Sequence, residues 1–224
     1  NTLLILNSYS GDTEEVLDTL TKALEAQMRV AILSKGGELI RIAELFSIAH
    51  IVLPNTSLEP RFSIGFQIIG LLSLMSEQQA VEILKQGIQQ LNTEKAKESG
   101  VALATRLQGK FPVLYASRNN YPIVYLIKAA INEGSKVPCF VNIFPESNHN
   151  ELQSFISNDT KKNAGLFSFI IMKSSLDHER TQKRFSVMSE LYEQEGFTVE
   201  TLTIDHTKIS EVFELILVGY YTAT

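Results

Sequence analysis

Leu3-Leu4-Ile5-Leu6-Asn7 runs directly into Ser8-Tyr9-Ser10-Gly11-Asp12-Thr13-Glu14-Glu15. An aliphatic run of strand length gives way to a hydroxyl-rich turn, then to acidic residues suited to the positive end of a helix. Short aliphatic or β-branched runs alternate with longer segments of helical period along the rest of the chain, which is the pattern of a parallel α/β sheet. The first series reads strand 3–7, helix 13–28, strand 29–33, short helix 38–47, strand 50–53 and helix 64–75, the last after a loop holding Pro54 and Pro60. Residues 76–110, rich in Gln, Glu and Lys, read as a helical linker that Gly87 and Gly100 interrupt.

A second series follows: strand 112–116, helix 121–133, strand 137–143, a polar loop Pro145 to Asn150, a short helix near 150–157, strand 166–172, helix 177–195, strand 197–204 and helix 208–223. Gly196 stands where a left-handed residue would end a helix. The expected fold is therefore α/β, with two three-layer αβα units of parallel sheet joined by a helical linker. The expected domains are 1–75 and 111–224, with 76–110 as linker and domain start. Asn1 stands in place of a methionine just before the first strand, and the last helix stops without a cap. Further chain is expected at both ends.

The 224 residues are 44% hydrophobic and 20% charged, enough apolar material for a substantial core. Twenty basic against 25 acidic residues give a formal charge of -5, which argues against a nucleic-acid binder held by phosphate contacts. No apolar run approaches the roughly 20 residues that span a bilayer. A single cysteine, Cys139, allows neither an internal disulfide nor a thiolate metal site and reads as a small buried hydrophobe. With no cysteine pairs and no signal peptide, a cytoplasmic setting is expected.

Ligands of doubly wound sheets sit at the carboxyl ends of strands, where the next helix starts. Ser8, Ser10 and Thr13 in such a turn, with Gly11 to bend it and a helix N-terminus beyond, suit a phosphate group. The plainer reading is that Ser10 or Thr13 only caps the helix. Asp12, Glu14 and Glu15 favour the helix and repel an anion. Ser34-Lys35-Gly36-Gly37 reads as a turn at the end of the second strand. Neither a GxGxxG dinucleotide turn nor a P-loop occurs, and His50, His178 and His206 have no metal-ligand spacing.

The Ser8 to Glu15 turn resembles the strand-to-helix signature of sugar isomerase (SIS) domains. Two further segments, Asn132-Glu133-Gly134-Ser135-Lys136-Val137-Pro138 and Phe144-Pro145-Glu146-Ser147-Asn148-His149-Asn150-Glu151, are similar to paired motifs of the bifunctional phosphoglucose/phosphomannose isomerases. Leu58-Glu59-Pro60-Arg61 resembles that family's arginine-bearing turn. The resemblance implies two SIS-type units and a phosphorylated hexose as substrate. It implies that Ser8, Ser10 and Thr13 bind the phosphate and that Arg61 steadies a developing enediolate or holds water. It gives Glu133 the role of base between C1 and C2, and His149 a part in ring opening. No metal or other cofactor is implied. Three departures stand out: Asp12 replaces the family's usual asparagine, and a Gly/Ser turn upstream and a lysine downstream are not in this stretch.

Glu133 and His149 are sixteen positions apart with a strand between them. Glu133 closes a helix at the edge where strands begin, whereas His149 follows the strand at the opposite edge, roughly 20 Å away for a strand over 137–143. A two-fold homodimer can join Glu133 of one subunit to His149 of its partner, and shared sites are also what the resemblance implies. The expected function is aldose–ketose isomerisation of glucose 6-phosphate and fructose 6-phosphate, with mannose 6-phosphate as a candidate second aldose. The alternatives are a non-catalytic sugar-phosphate sensor and an amino-sugar isomerase. Without the resemblance, Glu133 would be a surface carboxylate, His149 a loop residue and Arg61 a solvated cation or ion-pair member.

Overall fold

The computed structural model of the protein describes residues 2–157, 159 and 162–224. Its strands form two separate parallel sheets. The chain divides into two compact units, Asn1–Gln86 and Gly87–Thr224.

In the first unit β1 (Leu3–Asn7), β2 (Arg29–Ser34) and β3 (Ala49–Val52) lie in sequence order. Leu3 pairs with Arg29, and Ala31 with Ala49. Helices α1 (Glu14–Glu25) and α2 (Gly37–Leu45) cover one face, where Leu6 and Ile32 pack with Leu20, Leu39 and Ala43. Helix α3 (Ile64–Leu74) covers the other, where Leu33 and Ile51 meet Phe66 and Leu74. Adjacent residues Ile32 and Leu33 thus serve opposite faces, as strand alternation requires.

Helix α4 (Gln78–Gln89) carries the unit boundary, and α5 (Thr93–Leu107) follows. The segment expected as one linker is two helices, because Asn92 Oδ1 accepts the Lys95 N–H at 3.0 Å and starts α5 afresh. Gly87 and Gly100 interrupt neither helix. A Cβ on Gly87 would stand 2.1 Å from Ile209 Cγ2, and one on Gly100 would stand 2.5 Å from Tyr221 Cβ. Both glycines exist for the close approach of a neighbouring segment. Gly100→Ala should therefore destabilise the protein by about 1–3 kcal/mol, the scale of overpacking, measurable by urea titration.

The second sheet has the order β5-β4-β6-β7, formed by β4 (Phe111–Ser117), β5 (Phe140–Phe144), β6 (Phe167–Ser174) and β7 (Thr198–Ile204). Helix α6 (Tyr121–Glu133) joins β4 to β5. Short α7 (Glu146–Asn150) and α8 (Leu152–Phe155) lead towards β6, α9 (Glu179–Gln194) joins β6 to β7, and α10 (Ile209–Thr222) closes the chain. Val113, Tyr115, Phe169 and Ile171 pack one face against Phe185, Met188 and Tyr192 of α9, with Phe155 of α8 beside them. The Phe169 and Tyr192 rings stack at 4.0 Å between centroids. The alternate residues Leu114, Ala116, Ile170 and Met172 are equally buried and form the opposite face, on the side of α6. Helix α10 packs on both α5 and α6.

Two boundaries differ from expectation around the paired motifs. The strand read as 137–143 begins at Phe140, because Asn132 Oδ1 accepts the Cys139 N–H at 2.9 Å and holds the preceding residues in a turn. The polar segment 145–150 is not a loop, since Glu146–Asn150 make a short helix. Gly196 adopts φ +84°, the left-handed ending anticipated for α9. Among the described residues no helix is long and apolar enough to cross a membrane.

Candidate functional site

The turn after β1 gathers the three hydroxyls. Ser8 Oγ lies 2.7 Å from Thr13 Oγ1 and 3.4 Å from Ser10 Oγ. Gly11 N–H donates to Ser8 Oγ and Asp12 N–H to Ser10 Oγ, each at 3.2 Å. Backbone donors thus occupy acceptor positions on both serines. Ser8 and Thr13 share one hydrogen between them, which leaves the second hydroxyl hydrogen of that pair and that of Ser10 to turn toward an anion. Thr13 is the N-cap of α1 but makes no side-chain cap bond, and Ser10 bonds only within the turn. Capping therefore does not account for these hydroxyls. The turn is set at the positive end of a twelve-residue helix.

Arg61 sits in the 3₁₀ turn Pro60–Phe62, half-buried, paired with Glu59 and with its guanidinium 5.0 Å from the Phe62 ring centroid. A ladder of hydrogen bonds ties this turn to the end of β1. Asn7 Nδ2 donates to Gln67 Oε1 at 2.8 Å, Gln67 Nε2 to Ser63 Oγ at 2.5 Å, and Ser63 Oγ to the Pro60 carbonyl at 2.6 Å. The first unit thus holds Arg61 and the hydroxyl turn in one bonded framework. Local sequence carried no sign of this ladder, because its middle member Gln67 lies 60 residues beyond Asn7.

In the second unit Glu133 is the last residue of α6 and exposed, and His149 is exposed in α7. Strand β5 separates them, so they stand at opposite edges of the sheet. Its five residues span roughly 16 Å at the usual rise, shorter than the seven-residue strand expected. The His149 segment is anchored by Glu151, which accepts from the buried Tyr115 hydroxyl at 2.9 Å and from Asn142 Nδ2. Burial first, then Tyr192 and Glu151 nearby, holds the Tyr115 hydroxyl far above the usual tyrosine range, so it stays a donor.

At the carboxyl end of β4 the protein's own polar groups bond to one another. Fully buried Asn120 donates to Ser117 Oγ at 3.2 Å and to Asp177 Oδ1 at 3.4 Å, and its Oδ1 meets His206 Nε2 at 2.9 Å. Asp177 Oδ2 also accepts the Ser174 N–H at 3.1 Å. His206 is thereby a structural partner. His178 caps α9 through Nδ1, which accepts the Arg180 N–H at 3.1 Å, and His50 Nδ1 meets the Ile48 carbonyl at 2.8 Å. Cys139 is 2% exposed, and burial pushes its thiol up to about 12, so it remains an inert thiol at neutral pH.

Parallel strands, helices on both faces of each sheet and a hydroxyl-rich turn at a strand's carboxyl end place the molecule among open-sheet α/β proteins that meet ligands in strand-to-helix turns. Residues 96–224 match the bacterial phospho-glucose isomerase C-terminal SIS domain, and the chain belongs to that family. It is 29% identical over 237 residues to a bifunctional phosphoglucose/phosphomannose isomerase of Caldicellulosiruptor bescii, covering 99% of this chain and 69% of that protein. It is 32% identical over 161 residues to a D-glucosamine-6-phosphate 4-epimerase of Sulfolobus acidocaldarius, covering 70% of this chain and 52% of that one. The solved structure of a hypothetical protein from Thermus thermophilus shares the fold with a TM-score of 0.73 at 14% identity, over 99% of this chain and 65% of that one. The family is the one that the motifs around Glu133 and His149 resemble.

Proposed function

We propose that the protein is a sugar-phosphate isomerase that interconverts glucose 6-phosphate and fructose 6-phosphate, acts in the cytoplasm, and takes mannose 6-phosphate as a second aldose. The observation that carries this reading is the hydroxyl turn: three side chains converge before α1, and none of them caps the helix. Ser8, Ser10 and Thr13 take the phosphate, with both units acting as SIS domains, Asn1–Gln86 and Gly87–Thr224. After His149 has helped open the ring, the Glu133 carboxylate removes the C2 proton of the aldose. The C2–H bonding electrons form the C1–C2 double bond while the C1=O π electrons move onto O1, giving an enediolate. Once the hydroxyl proton has passed from O2 to O1, the O2 electrons form the C2 carbonyl and the same carboxylate returns its proton to C1, giving the ketose. Arg61 stabilises the negative charge that develops on the enediol oxygen.

The reading further includes a homodimer whose two sites each combine Glu133 of one subunit with His149 of the other. The support is topological, since β5 keeps the two residues of one chain at opposite edges. The direct experiment is incubation of the protein with fructose 6-phosphate in deuterated water. Deuterium at C2 of the recovered aldose is the expected result. Binding without exchange would make the protein a sugar-phosphate sensor. If glucosamine 6-phosphate instead inverts at C4 while fructose 6-phosphate is untouched, the reaction is that named for the Sulfolobus relative.

A further inference from the structure

Asp12 bears a negative charge inside a turn suited to an anion, and its side chain is directed elsewhere. Its Oδ1 accepts the Glu38 N–H at 2.8 Å, across 26 residues of chain. Glu38 belongs to the first turn of the nine-residue helix α2, whose N-cap, Gly36, offers no side chain of its own. Asp12 therefore supplies from another segment the cap that α2 lacks, and the positive end of α2 offsets its charge.

The contact is one of several that lock the two turns together. The Lys35 N–H donates to the Tyr9 carbonyl and the Leu39 N–H to the Gly11 carbonyl, both at 3.0 Å. Buried Ser34 Oγ donates to the Gly36 carbonyl at 2.9 Å. Gly11 and Gly37 both have positive φ, +86° and +70°. A Cβ on Gly11 would stand 1.8 Å from the Gly36 oxygen, and one on Gly37 would stand 2.5 Å from the Ser10 oxygen and 2.6 Å from Asp12 Oδ1. The Ser34–Gly37 turn is thus the bed on which Ser8–Thr13 lies.

We infer that Asp12 is a positioning residue of the phosphate site: by capping α2 it pins Ser10, two residues before it, and Thr13, next after it, in the arrangement that receives the anion. The inference rests on the phosphate reading of the Ser8–Thr13 turn. It makes Asp12 a contributor to binding despite its charge. The alternative is that Asp12 acts on the anion as a repelling charge alone.

The test compares Asp12→Ala and Asp12→Asn in the whole protein, with inorganic phosphate, which cannot turn over, as probe. Asparagine keeps an oxygen acceptor for the Glu38 N–H, whereas alanine removes it. The expected result is a phosphate Kd raised about tenfold by alanine, the scale of one lost cap, and within about threefold of wild type for asparagine. Hydrogen exchange at the Glu38 amide reads the cap without ligand and should accelerate in the alanine variant only. Equal tightening by both variants would mean a repelling charge and overturn the positioning role. An alanine variant that loses Glu38 protection and thermal stability but binds phosphate as wild type does would also overturn it, leaving the phosphate site intact. Wild-type protein that binds no phosphate would remove the site itself and this inference with it.

Discussion

Glu133→Gln is expected to lower kcat for fructose 6-phosphate by about 10³-fold, within the range a positioned general base contributes, while changing the Kd for the sugar phosphate less than about threefold. Glutamine has nearly the same shape, yet its amide cannot take the proton from C2. The phosphate would be held by Ser8, Ser10 and Thr13, which the substitution does not touch. The folded protein should tolerate the change. Glu133 is the last residue of α6, whose final turn contains no basic residue, so its carboxylate lies against the negative end of the helix dipole. A variant that folds, binds normally and no longer exchanges deuterium into C2 would identify the carboxylate that carries the chemistry. Retention of more than about a tenth of wild-type kcat would place the base elsewhere.

Mixing Glu133→Ala chains with His149→Ala chains is the second large effect. Each variant alone should be nearly inactive. After dissociation and reassociation about half the dimers are mixed, and a mixed dimer has one site built from the intact Glu133 of one chain and the intact His149 of the other. Recovery of about a quarter of wild-type activity is then expected at equal mixing. Sites contained within single chains would recover nothing, because every site would keep one defect. The geometry behind this expectation is local to the second unit. Glu133 precedes β5, His149 follows it, and Glu151 fixes the His149 segment through Tyr115 and Asn142. A loop rearrangement that carries His149 back across the sheet would break those anchors.

Much of the fold was legible because parallel strands, covered on both faces, read as aliphatic runs. Leu3–Asn7, Arg29–Ser34 and Phe167–Ser174 fall within one or two residues of the runs read from sequence. The hydroxyl turn was equally plain, since Ser8, Ser10, Gly11 and Thr13 lie within six residues of one another. The errors gather where a residue's partner is remote. Gly87 and Gly100 read locally as helix breakers, but what they make room for is Ile209 and Tyr221, more than a hundred residues onward. Pro145 to Asn150 looked like a polar loop, and the short helix there is tied down by Ser147 Oγ donating to the Ile143 carbonyl at 3.1 Å.

Sequence alone determined the α/β class, the position of the hydroxyl turn and the separation of Glu133 from His149 by a strand, because each depends on residues adjacent in the chain. Tertiary structure alone decided that none of the Ser8, Ser10 and Thr13 hydroxyls caps α1, whereas Ser117 is met by Asn120, which Asp177 and His206 hold in turn. It alone turned Asp12 from a charge opposed to an anion into the cap of a helix that begins 25 residues later. The physical reason is the same in both cases: a hydrogen-bonding group acts according to the partner that folding brings to it, and those partners come from distant strands and turns.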